Sequence, residues 1–77
     1  MSVAINTETV NTIIGSRIRL RRKAIGMTLA ELGKKAHFSV GFLSDLENGK
    51  RGVSAENLLS IAKSLNVTPN WFFRPLL

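Results

Sequence analysis

Arg17, Arg19, Arg21, Arg22 and Lys23 crowd one short stretch, and a second basic pair, Lys50 and Arg51, directly follows Asn48-Gly49. Cations at this density hold polyanions through charge-assisted hydrogen bonds. In all, eleven Lys and Arg stand against five Asp and Glu, for a formal charge of +6. That excess suggests nucleic acid before an acidic membrane as partner. Acid–base or covalent catalysis finds little to work with. The chain has one histidine, His37, no cysteine, and carboxylates that form no recognisable acid–base pair. No glycine-rich phosphate loop of the strand-to-helix kind is present. Thiolate metal sites are excluded, and a lone histidine makes a zinc site an unsuitable reading. The expectation is no enzyme, no metal, no cofactor and no small-molecule ligand.

Seventy-seven residues make one domain with a limited core, so each large apolar side chain counts. No apolar run approaches a membrane span, and no signal-peptide pattern precedes the basic stretch. The expected location is cytoplasmic.

The elements that position these cations are short. Residues 1–11 show no clear helix period and read as a flexible arm. Helix one is expected over 12–25, with Ile14, Ile18 and Ile25 on one face and Arg22 beside them. Leu20 lies off that stripe. Gly26 suits the left-handed stop. Thr28 and Glu31 form the capping pattern T-x-x-E, which opens helix two from Leu29 to Ala36. Leu32 and Ala36 face inward. Gly33 points to close approach by another helix, because a mid-helix glycine otherwise costs about 1 kcal/mol. Ser39 caps helix three, Val40 to Glu47, with Leu43 and Leu46 inside and Asn48-Gly49 as its stop. Ser54 caps helix four, whose apolar face is Leu58, Leu59, Ile61, Ala62 and Leu65. Thr68-Pro69 starts a fifth short helix, closed by Pro75. An apolar tail, 75–77, follows. The domain proper is placed at 12–74.

The ordered set T-x-x-E-L, then L-x-x-L-E-N-G, then L-x-x-I-A-x-x-L-x-V resembles the helix-turn-helix domain of phage Cro and repressor proteins, the lambda-repressor-like group. Arg22, Gly26, Thr28, Glu31, Leu32, Leu43, Leu46, Glu47, Asn48 and Gly49 carry the likeness, continuing through Leu58, Ile61, Ala62, Leu65, Val67 and Trp71. It spans about residues 13–73. The resemblance implies an all-α, compact five-helix domain with a central helix-turn-helix. It implies a structural ion pair between Arg22 and Glu47. Helix two would cross the phosphate backbone and helix three would enter the major groove of double-stranded DNA. The implied function is a sequence-specific transcription regulator, acting as a homodimer on a palindromic operator.

If helix three enters the groove, its base-facing residues are Ser39, Val40, Gly41, Ser44 and Asp45. Ser44 suits several base edges, Val40 a thymine methyl and Asp45 a cytosine amino group. Phosphate contacts are expected from the helix-two terminus at Thr28 and Leu29, from the Ser39 hydroxyl, and from Lys50 and Arg51, with Arg17 and Lys34 as further candidates. Lys50 and Arg51 also come within reach of a base at the outer edge of the half-site. Leu29 stands where the family often carries Gln, and His37 where it commonly has a turn glycine. Phe38 and Phe42 read as partly buried packing residues, with contact to a sugar or a base methyl as the alternative. Trp71, Phe72, Phe73 and Leu76 are the expected dimer surface. The competing reading is a protein-interaction module on the same fold, antitoxin-like or partner-dependent. A restriction-modification controller and a small phage repressor also suit this size.

Overall fold

Asn6 opens the first helix. In the computed structural model, which describes residues 6–75, its Oδ1 accepts hydrogen bonds from the Thr9 amide at 2.8 Å and the Thr9 hydroxyl at 3.0 Å. Helix α1 then runs Thr7–Ala24. The helix therefore begins inside the segment expected to be an arm. Residues 7–10 are exposed, so no apolar period marks these turns, and the asparagine cap with Glu8 behind it is the only local signal. Ile25, expected on the inner stripe, is instead 39% exposed. It follows the last helical residue, and Gly26 at φ 68° turns the chain away.

Helix α2, Leu29–Ala36, carries a complete capping box: the Thr28 hydroxyl accepts from the Glu31 amide, and the Glu31 carboxylate accepts from the Thr28 amide. Its exit is His37, held left-handed at φ 63°. Helix α3, Val40–Glu47, follows at once, capped by the Ser39 hydroxyl on the Phe42 amide at 3.1 Å. Helix α4 is Ala55–Ser64. The expected fifth α-helix is a 3-10 helix, Pro69–Phe73. Five residues closed by Pro75 are too few to propagate α-helical bonding, and the tighter i to i+3 pattern suits such a piece.

Among the described residues, eleven side chains form one core: Ile14, Ile18, Leu32, Ala36, Leu43, Leu46, Leu58, Ile61, Ala62, Leu65 and Phe72. Leu59 is not among them and is 53% exposed. The inward set on α4 follows the i, i+3, i+4, i+7 rule from Leu58, and its neighbour must point elsewhere.

Two glycines set the spacing. A Cβ on Gly15 would run into the backbone carbonyl of Leu46, so α1 crosses α3 at backbone contact. A Cβ on Gly33 would come within 2.6 Å of the Phe38 carbonyl oxygen. The close approach at Gly33 is thus to the turn after α2 more than to another helix.

Candidate nucleic-acid interface

The inner side of α3 is fixed before its outer side can act. Leu43 and Leu46 are buried in the core. Glu47, only 8% exposed, accepts from Arg22 Nε at 2.7 Å and Arg22 Nη2 at 2.9 Å. Arg22 also donates through Nη1 to the Met27 carbonyl at 2.8 Å. The hydrogen bonds to Glu47, reinforced by its charge, raise the Arg22 pKa above the ordinary value against the opposing effect of burial. Arg19 lies 3.9 Å from the same carboxylate and remains half exposed.

With one side locked, α3 presents the other. Ser39, Val40 and Gly41 are exposed, and Ser44 and Asp45 are half-buried. Nothing lies within 4 Å of a Cβ built on Gly41, so the start of the helix is open. Asn48 donates to the Ser44 carbonyl at 2.9 Å and lies 3.4 Å from the Ser44 hydroxyl, a link that the sequence reading missed. The Lys50 amide donates to the Asp45 carbonyl at 2.9 Å, which ties the following basic loop to the end of α3. Lys34, Lys50 and Arg51 are exposed.

Two expected phosphate groups are already engaged. The Thr28 amide is taken by Glu31, as described above, so Leu29 and Ala30 hold the first-turn amides of α2 left without an intrahelical partner. The Leu29 side chain packs on the core. Arg17 is a clearer correction. It is 8% exposed and donates to the carbonyls of Phe72 at 3.0 Å, Arg74 at 2.6 Å and Pro75 at 3.4 Å. Arg21 similarly donates to the Leu65 carbonyl at 3.0 Å. The Leu65 and Phe72 carbonyls lie at helix ends, where intrahelical partners are lacking, and these arginines supply them. Part of the basic stretch on α1 therefore holds the fold together instead of facing a polyanion.

The expected dimer residues separate as well. Phe72 is fully buried beneath an edge-on Trp71 at 5.2 Å, because a domain this small needs that ring in its core. Trp71 is half-buried, with the Arg74 guanidinium over its ring at 4.5 Å, and Phe73 is 63% exposed. Leu76 lies outside the described residues. Among the described residues no helix is long and apolar enough to cross a membrane, and no three metal-ligating side chains come together.

A family model described as helix-turn-helix matches residues 18–72. The chain belongs to the helix-turn-helix family. Its relatives place it with the Cro and repressor type. The helix-turn-helix regulator DicA of Escherichia coli is 38% identical over 64 residues, covering 83% of this chain and 47% of DicA. The clp gene regulator ClgR from Corynebacterium glutamicum superposes with a TM-score of 0.81 at 33% identity, covering 83% of this chain and 68% of that one. The c2 repressor of Salmonella phage P22, solved in complex with a synthetic operator, superposes with a TM-score of 0.71 at 36% identity, covering 77% and 89%. The chain spans about half the length of the curated relatives it first matches. Within the matched segment, α2 and α3 form the helix pair, with His37 as the left-handed turn residue between them.

Proposed function

We propose that this chain is a sequence-specific, double-stranded DNA-binding transcription regulator. Its DNA-binding unit begins at α1 and ends near Arg74. The observation that carries this reading is the division of α3 into a locked side and an open side. Leu43, Leu46 and Glu47 hold the helix, while Ser39, Val40, Gly41, Ser44 and Asp45 are left to the groove. Val40, 47% exposed, suits a thymine methyl, and Ser44 and Asp45 suit polar base edges. The Leu29 amide, the Ser39 hydroxyl, Lys34, Lys50 and Arg51 hold phosphates and set the register. The likeness to a repressor solved with its operator supports the same placement.

The protein works as a homodimer through Trp71 and Phe73. Two-fold pairing spaces the recognition helices about 34 Å apart, one turn of DNA, and calls for a palindromic site. Regulation is by occupancy of the promoter.

Selection from a random duplex pool tests this directly. A shared palindrome is expected, with the preference lost in Ser44→Ala. An enriched pool indistinguishable from input would refute it. Sedimentation over a concentration series, with and without the selected duplex, tests the dimer. A monomer persisting in both refutes that part.

A second reading, a protein-interaction module with weak DNA preference, is favoured by the apolar surface at Leu20, Leu59 and Phe73, each more than half exposed. DNA affinity without sequence preference would select it.

A further inference from the structure

Arg51 sits in the loop between α3 and α4, with its guanidinium carbon 4.9 Å above the centre of the Phe42 ring. Phe42 in turn meets Phe38 at 5.0 Å, with 31° between the ring planes. Both phenylalanines are half-buried and pack against the core. The result is a stack whose inner layers are anchored and whose outer layer is a cation. The loop itself is pinned. Gly49 and Lys50 donate backbone bonds into the end of α3, and Gly52 lies against Asn11 of α1 so closely that a Cβ would sit 3.1 Å from Asn11 Oδ1.

The contrast with three arginines of α1 is informative. Arg17, Arg21 and Arg22 all donate to carbonyls or carboxylates of the chain. Among the described residues Arg51 meets no such acceptor, and the ion pairs are those of Arg19 and Arg22 with Glu47. Arg51 is thus held by a ring face, which uses none of its N–H donors. A guanidinium lying on an aromatic face keeps its donor fork free at the edge.

We propose that Phe42 is a positioning residue that holds Arg51 as a pre-ordered cation for one DNA phosphate on the flank of α3. The inference rests on the reading of α3 as the groove-entering helix. A long cationic side chain loses rotamer freedom when it is fixed on a phosphate, and that loss weakens binding. The ring removes most of the freedom before DNA arrives. The planar fork is then aligned for a bidentate phosphate contact, which a lysine ammonium does not reproduce.

The test is a double-mutant cycle on the full chain, read by anisotropy of a labelled mixed-sequence duplex over a salt series. Arg51→Ala should lower the slope of log K against log salt by about one, because one phosphate contact is lost. Phe42→Leu keeps the charge, so the slope should hold, while affinity falls about threefold, the scale of an exposed cation–π contact. In the Arg51→Ala background the Phe42→Leu change should have no further effect on affinity. Phe42→Tyr keeps a ring and should bind as the parent does, which separates stacking from simple core damage if Phe42→Leu folds poorly. An additive cycle, or an unchanged slope in Arg51→Ala, overturns the inference while the parent still binds. No binding by the parent to any duplex at low salt overturns the functional reading beneath it, and the role given to the stack falls with it.

Discussion

Arg22 and Glu47, 25 residues apart in sequence, form a two-pronged bond across the α1–α3 crossing with side chains 10% and 4% exposed. A buried pair of this kind holds geometry more than it adds net stability, because desolvating both charges offsets much of their attraction. Removing one partner is a different matter, because the other is left buried and unpaired. Glu47→Ala should cost about 3–5 kcal/mol, a large share of what a domain of this size holds. The double change Arg22→Met with Glu47→Leu should recover most of it. Urea unfolding midpoints decide this, and a double variant no more stable than Glu47→Ala would contradict it.

Gly15 and Gly41 should respond in opposite senses to alanine. At Gly15 the new methyl meets the Leu46 carbonyl across the helix crossing. The backbones must part, with a loss of about 1–3 kcal/mol from overpacking. At Gly41 the space is open, and the helix should gain about 0.5–1 kcal/mol. Thermal unfolding of the two variants checks both signs.

Arg17→Ala should behave as a structural variant. Charged hydrogen bonds to the Phe72 and Arg74 carbonyls disappear, at about 1.5–3 kcal/mol each as an upper measure. Amide exchange through 72–74 should quicken. The salt dependence of DNA binding should stay as in the parent, whereas Lys50→Ala should lower its slope by about one. A lowered slope in Arg17→Ala would return it to the DNA surface.

Glu31 gives the chain an acid-sensitive cap. The Thr28 backbone N–H, then the Thr28 side chain, hold its carboxyl below the ordinary value of 4.5. A lowered folded-state value contributes stability that is present above 4.5 and is lost as pH falls through the folded value. The parent should therefore be more stable than Glu31→Gln at neutral pH, with the gap closing as pH drops below 4.5. Melting temperatures of the two proteins across an acid series read this out, and a gap that persists in acid would contradict it.

Helices α2 and α3 begin and end where local chemistry dictates. Thr28 with Glu31, Ser39, and Asn48-Gly49 are caps and stops whose partners lie within a turn, so the linear chain is enough to place them. The apolar period of α4 is legible for the same reason. The start of α1 was hidden because its first turns bury nothing and so leave no period to read.

The amino-acid order by itself determined the helix pair at the centre, the capping residues and most of the core, because these depend on neighbours three or four places away. Tertiary structure alone decided which cations face outward. Arg17, Arg21 and Arg51 look alike in sequence. The first two meet carbonyls 55 and 44 residues distant, while Arg51 meets a ring on the adjoining helix. No local pattern encodes such partners. Packing also decided that Phe72 is core and Phe73 surface, because a 3-10 helix this short can turn only one of two adjacent rings inward.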